Sequence, residues 1–270
     1  MNTLSWDEIL TIDRDEVQLP YFDPLTDLPL IIIVGLTGVG KTTALTQLDK
    51  LGVEFTLLPN RRVLADEVII SSLQKEAGET PHPVTDRVKR FDYTARYRAK
   101  YPGGMAFALS RLALNPLKTS GWLVFDGLRG LEEVQQATWL FKQIRFVLLD
   151  APDTVRLTRL LQRHDAFDRT EAAPSALNAD LTAALYDIPH IKSVFTTRQI
   201  QQIGLLGHTV SPADIIKKVK IIVQERQNYN SNTARIYLTN TLPSRRLLVV
   251  NTADQPAGAV AKKIAGWLEV

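Results

Sequence analysis

The chain has no cysteine in its 270 residues. Disulfides, thiolate nucleophiles and zinc–thiolate sites are therefore excluded. Histidine is scarce. His82, His164, His190 and His208 stand far apart, with no metal-ligand spacing among them. No apolar run approaches the ~20 residues that a membrane span requires. The first residues are acidic rather than basic and apolar, so no secretory signal is read and a cytoplasmic protein is expected. There are no repeats and no low-complexity tract. What remains, 45% hydrophobic and 23% charged residues, is the composition of a globular protein with a full core.

Charge is unevenly placed. Asp7, Glu8, Asp13, Asp15, Glu16, Asp23 and Asp27 face only Arg14 in that stretch, yet the whole chain carries +3. The body is therefore basic, which suits an anionic ligand. Residues 1–28 read as an acidic extension, in which Trp6, Ile9, Leu10 and Ile12 form a short amphipathic turn.

The apolar run Leu30-Ile31-Ile32-Ile33-Val34 leads directly into Gly35-Leu36-Thr37-Gly38-Val39-Gly40-Lys41-Thr42. A buried strand feeding G-x-x-x-x-G-K-[ST] and then a helix is the context of a phosphate-binding loop. Gly35, Gly38, Val39 and Gly40 offer main-chain N–H groups to an anion. Lys41 reaches toward the β- and γ-phosphates, the Thr42 hydroxyl toward Mg²⁺, and Thr43 stands at the helix start beside them. The helix that follows aims its positive end at the same charge. A nucleoside triphosphate with Mg²⁺ is the expected ligand.

Strands and helices alternate around this loop, which indicates a parallel α/β sheet. Short apolar strands are expected at about 30–34, 53–58, 121–125, 145–149 and 246–250. Helices are expected at about 63–77, 86–99, 104–114, 131–141, 152–163 and 256–268. Residues 171–243 interrupt the alternation as a helical insertion, with helices at about 177–187, 191–203, 211–227 and 231–240. Ser211-Pro212-Ala213-Asp214 marks the start of the clearest of these. The chain thus divides into 1–28, a core of 29–170 plus 244–270, and 171–243.

Trp122-Leu123-Val124-Phe125-Asp126 is an apolar strand ending in a carboxylate, the place for the second Mg²⁺-associated acid. Gly127 stands where motor ATPases carry a water-activating Glu, and the Asn-Lys-x-Asp motif of GTPase switches is absent. Arg129 lies just past this strand tip, in the crevice where ligands bind, and a guanidinium there clamps a phosphate bidentately. Arg156, Arg159 and Arg163 share one face of a later helix. Arg163 and Arg169, in the loop after it, read as a lid that closes over the transferring phosphoryl. Arg156 reads as part of a solvated face. On the acceptor side stand Arg61, Arg62 and Asp66, then Arg87 and Arg90. The stretch 87–101 interleaves basic residues with Phe91, Tyr93, Tyr97 and Tyr101. Two readings stay open for it: a base or single-strand stacking surface, and an amphipathic helix with its aromatics inside.

On these residues the chain resembles the nucleotide-kinase-like branch of phosphate-loop proteins, which includes adenylate and dephospho-CoA kinases. The shared marks are Gly35-x-x-Gly38-x-Gly40-Lys41-Thr42, Asp126-Gly127-x-Arg129, and the arginine-rich lid entry reaching Arg163 and Arg169. The closing strand–loop–helix at about 246–268 also fits. The resemblance implies a three-layer fold with a five-stranded parallel sheet in the order 2-3-1-4-5. It also implies adenine held between the lid arginines and the loop Asn251 to Pro256. A weaker similarity, Gly-Lys-Thr-Thr-Ala-Leu…Leu-Gly-Val-Glu-Phe, links the start of the core to a nucleotide-binding RNase-adaptor family that acts through a partner.

The expected function is transfer of the ATP γ-phosphoryl to a small phosphorylated or hydroxyl-bearing acceptor. Lys41, Asp126, Arg129, Arg163 and Arg169 carry the chemistry, and Thr42 and Asp126 hold Mg²⁺. The alternatives are a nucleotide-dependent regulatory ATPase with a protein partner and, less favoured, nucleic-acid end processing.

Overall fold

The computed structural model describes residues 2–11, 21–162, 181–229 and 231–269. In chain order the N-terminal strands are β1 (Asn2–Thr3), β2 (Ile9–Thr11) and β3 (Asp23–Pro24). They lead to β4 (Leu30–Val34), α1 (Lys41–Lys50) and β5 (Phe55–Leu57). Next, α2 (Arg61–Leu64), a π-helical stretch Ala65–Ile70 and α3 (Ser71–Glu76) run on from one another. Then come α4 (Arg87–Lys100), α5 (Met105–Leu109), β6 (Leu112–Leu114), β7 (Trp122–Phe125), α6 (Leu131–Leu140), β8 (Ile144–Asp150) and α7 (Asp153–Leu161). The remainder is α8 (Leu181–Tyr186), α9 (Thr197–Leu205), α10 (Pro212–Asn228), α11 (Ser231–Thr241), β9 (Leu247–Asn251) and α12 (Ala257–Leu268).

The main sheet is ordered β1-β5-β7-β4-β8-β9, and every pairing in it is parallel. Its five long-range strands follow the expected order 2-3-1-4-5, with β1 added at one edge. These strands form because they are apolar on both faces. Leu30, Ile32 and Val34 pack with the layer of α2 to α6 and α11, whereas Ile31 and Ile33 pack with α1 and α12. Each such side chain, taken fully from water, contributes roughly 1.5–3 kcal/mol. A third cluster joins Leu157 and Leu160 of α7 to Leu185, Ile200, Ile215, Val219 and Ile222. Helices α8 to α10 thus dock on α7 through the Ile215/Val219/Ile222 stripe of α10.

Three local expectations change. The amphipathic turn near Trp6 is a single 3₁₀ turn, Trp6–Glu8, closed by the Ser5 N–H donating to Glu8 Oε2 at 3.0 Å. Ile9 then enters β2, which with β3 flanks β6 in a small antiparallel sheet, while Ile12 falls outside the described residues. The helix expected over 104–114 ends at Leu109, and Leu112–Leu114 forms the central strand of that small sheet. The helix expected over 191–203 is a 3₁₀ turn, Ile191–Ser193, followed by α9. Thr196 makes the break, because its side chain accepts from the Gln199 N–H while Gln199 Oε1 accepts from the Thr196 N–H at 2.8 Å. In α4, Tyr97 is buried and Tyr101 stacks on Phe107 at 4.6 Å, so these aromatics face the core. No helix among the described residues is long and apolar enough to cross a membrane.

Candidate functional site

The loop between β4 and α1 bends as a phosphate loop must. Gly38 and Gly40 adopt φ of +88° and +98°, a conformation costly for any residue with a Cβ. Gly38 is doubly constrained: a Cβ there would lie 3.1 Å from the Arg156 carbonyl oxygen, so α7 sits directly against the loop. Lys41 Nζ donates to the Gly35 carbonyl at 2.8 Å and so closes the loop on itself. Val39 buries its side chain and has only main chain to offer a ligand. Thr42 and Thr43 are exposed at the first turn of α1.

On the α1/α12 side of the loop is a cavity of about 330 Å³. Its walls include Gly40, Thr43, Arg159, Gln162, Thr252 and Gln255. Thr252 ties this wall together. Its hydroxyl donates to the Val39 carbonyl at 2.8 Å, and its own carbonyl accepts from Arg159 Nη2 at 2.6 Å. The loop after β9 and the arginine face of α7 therefore meet across the cavity. Gln162 and Gln255 are carboxamides, which donate and accept, as a nucleobase edge requires.

A second cavity, of about 440 Å³, opens between the α2–α3 segment, α4 and the end of α10. Arg61, Arg90, Arg98 and Arg129 line it, together with Glu133 and Tyr229. Arg61 forks onto Glu133, with Nη2 to Oε1 at 2.6 Å and Nη1 to Oε2 at 2.8 Å, and also donates to the Gly127 carbonyl at 2.7 Å. Burial pushes the Arg61 pKa down, but the Glu133 charge and hydrogen bonds, with help from Tyr229, outweigh it and hold the guanidinium above its ordinary value. Glu133 Oε2 also accepts from the Arg129 N–H at 3.0 Å, which fixes the turn after β7. Phe91 lines the same space and is 52% exposed.

Between the two cavities lies a buried ionic cluster. The Glu225 carboxylate of α10 accepts from the Thr37 N–H at 3.1 Å and the Thr37 hydroxyl at 2.5 Å. It accepts also from Arg129 Nη1 at 3.2 Å and from Arg156 Nη2. Arg156 is fully buried, and it donates from Nε to the Thr37 carbonyl at 2.8 Å and from Nη1 to Asp153 at 2.5 Å. The solvated face expected for Arg156 is therefore corrected: its side chain is enclosed between α7, α10 and the loop.

The structure brings Gly38, Val39, Gly40, Thr43 and Arg159 around one cavity, and Arg129 and Arg90 around the other; Lys41 and Thr42 do not line the first. Asp126 is half-buried one residue past Phe125, which pairs with Ile32 of the strand that feeds the loop. Among the described residues no cluster of three or more His, Asp or Glu is shaped for a metal. Arg163 and Arg169 fall outside the described residues. Arg62 is exposed and is not among the cavity walls, whereas Arg61, one helical step away, is. Arg87 opens α4. Asp66, expected to face the acceptor, is paired with Arg90. Glu133, Tyr229 and Glu225 carry no local signal. Glu225 lies 188 residues from Thr37, inside an ordinary amphipathic helix.

No family model and no curated protein matches the sequence. Solved structures that resemble the chain include the following three. A sugar kinase from Janibacter sp. is 15% identical over 90% of this chain and 95% of that one, with a TM-score of 0.36. A shikimate kinase from Bacteroides thetaiotaomicron is 10% identical over 90% of this chain and 99% of that one, at 0.33. A sulfotransferase from Alicyclobacillus acidocaldarius is 9% identical over 90% of this chain and 81% of that one, at 0.32. Superpositions this loose add nothing to the strand order and the loop geometry.

Proposed function

We propose that the chain is an ATP-dependent phosphotransferase acting on a small anionic acceptor. The observation that carries this reading is a pair of cavities, one on the phosphate loop and one lined by arginines. One is walled by the loop, the start of α1 and carboxamides; the other is walled by four arginines. In this reading Lys41 and the amides of residues 38–42 bind the phosphates, and α1 adds the field of its N-terminus. Arg159, Gln162 and Gln255 seat the base. When bound, Mg²⁺ supplies charge neutralisation of the phosphates, and Thr42 and Asp126 position it.

Arg129, Arg90 and Arg98 hold the acceptor's negative groups, while Arg61 is committed to Glu133 and keeps the turn after β7 in place. Asp66, the acid of the acceptor side, is paired to Arg90, which favours an acceptor that is itself a phosphate over an alcohol. Such transfer needs positioning and charge stabilisation rather than proton abstraction. Arg163 and Arg169 would complete the closed site.

A coupled assay for ADP release with Mg·ATP and a panel of phosphorylated small molecules tests the reading. At least one acceptor should accelerate ADP release far above the rate without acceptor, and Lys41→Ala should abolish the effect. ADP release indifferent to every acceptor, but stimulated by a protein retained on the immobilised chain, would favour the regulatory ATPase. The observation on that side is the direct bond from α10 to the phosphate loop.

A further inference from the structure

Four donors converge on the Glu225 carboxylate: a main-chain N–H and the hydroxyl of Thr37, and the guanidinium groups of Arg129 and Arg156. An amide of a phosphate loop, a hydroxyl and two guanidiniums are the donors that a phosphoryl group takes. Here a protein carboxylate takes them. Its placement is not explained by helix stability. Glu225 lies in the last turn of the 17-residue α10, where the helix dipole disfavours negative charge. It is also 7% exposed, so its charge is held by these partners and not by water.

Two of the donors reach toward ligand space. Arg129 lines the arginine cavity, and its Nε is buried with no hydrogen-bond partner, so its guanidinium is incompletely satisfied by Glu225. Thr37 is the immediate neighbour of Gly38, which lines the nucleotide cavity. A second anion entering beside Glu225 meets a like charge at a few ångströms in a site with little water. The two anions compete for the same donors. The helix turn that bears Glu225 continues into Asn228 and Tyr229, which wall the arginine cavity. Loss of the Glu225 contacts therefore frees part of the acceptor wall.

We propose, on the basis of the phosphotransferase reading, that Glu225 is a resident stand-in for a phosphoryl group. It occupies the Thr37–Arg129–Arg156 anion site in the resting chain, opposes the γ-phosphoryl, and gives way when a phosphorylated ligand claims those donors. Displacement of the carboxylate unlatches the end of α10 and couples phosphoryl occupancy to the shape of the acceptor cavity.

Calorimetry on the full chain with Mg·ADP and Mg·AMPPNP, for wild type and Glu225→Gln, tests this. Glutamine keeps the size and an acceptor oxygen but removes the charge. The preference for AMPPNP over ADP should rise at least about tenfold in the variant, the factor that corresponds to relief of one close like-charge contact. An unchanged or smaller preference, with ADP affinity retained, overturns the proposal and leaves the phosphotransferase reading standing. If neither protein binds nucleotide, that reading fails, and the stand-in role is decided by pyrophosphate. A larger rise in melting temperature for Glu225→Gln than for wild type supports it, and an equal or smaller rise overturns it. Should the variant not fold, hydrogen exchange of wild type decides. Residues 222–229 must exchange faster on addition of Mg·AMPPNP or pyrophosphate; unchanged or slower exchange overturns the proposal.

Discussion

Arg61 and Glu133 form a two-pronged ion pair, at 2.6 and 2.8 Å, that spans from the helix after β5 to the first turn of α6. The same Glu133 carboxylate holds the Arg129 N–H at 3.0 Å. One acid therefore sets both an arginine of the cavity wall and the turn that carries another. Glu133→Ala leaves the half-buried Arg61 without its partner and should cost about 1–3 kcal/mol, read by urea denaturation. It should also raise the acceptor KM more than the ATP KM, because the nucleotide cavity does not use Glu133. Arg61→Lys keeps the charge and loses the fork, and should fall between wild type and Glu133→Ala.

The two loop glycines differ in a way that mutation can separate. A methyl group at Gly38 meets both a left-handed φ and the Arg156 backbone at 3.1–3.2 Å. At Gly40 it meets the same φ penalty but only the far end of Arg159, at 3.8 Å. Gly40→Ala should cost roughly 1–2 kcal/mol from backbone strain alone. Gly38→Ala should cost clearly more and should weaken Mg·ATP binding further. Melting curves and nucleotide titration of the two variants, side by side, measure the difference.

Lys41→Ala removes the one ammonium that closes the loop. Phosphoryl transfer should drop by about two to four orders of magnitude in kcat, since the lost charge acts mainly on the developing transition state. The acceptor KM should stay within a few-fold of wild type, because the arginine cavity is separate. Steady-state kinetics with both substrates varied reads both quantities.

The contact between α3 and α4 carries a pH signature. A hydrogen bond from Lys100, then the Tyr101 hydroxyl, holds Glu76 below the usual carboxylate value, and Glu76 holds Lys100 above its usual value. A lowered acid contributes stability above its unfolded pKa and loses it as pH falls through the folded one. A raised lysine contributes below its unfolded pKa and loses it as pH rises through the folded one. The contribution should therefore be flat near neutrality and fade at both extremes. Glu76→Gln should remove that dependence on the acid side. The pair is exposed, so the effect on melting temperature is small. Melts of both proteins from neutral pH down through about pH 4 measure it.

The strands that position the loop were readable because they are covered on both faces and so are continuously apolar, as in Leu30-Ile31-Ile32-Ile33-Val34. The small sheet was not. Strands of two or three residues such as Asp23–Pro24 and Leu112–Leu114 have no room for a period, and Met105–Leu109 with Leu112–Leu114 looks like one apolar helix. The phosphate loop was legible because its residues are consecutive. The ionic cluster was not, because Thr37, Arg129, Arg156 and Glu225 meet only through tertiary packing of α10 on α7. The sequence does not separate Arg61 from Arg62, although a helix turns by about 100° per residue and only Arg61 lines the arginine cavity.

The central claim is that the turn after β4 holds the phosphates of a nucleoside triphosphate. The most direct measurement is a crystal structure of the chain grown with Mg·AMPPNP. The account predicts the β-phosphate within hydrogen-bond distance of the main-chain N–H groups of residues 38–42, with Lys41 Nζ moved from the Gly35 carbonyl onto phosphate oxygen. A nucleotide bound elsewhere, with that turn unchanged and Lys41 still on Gly35, would contradict it.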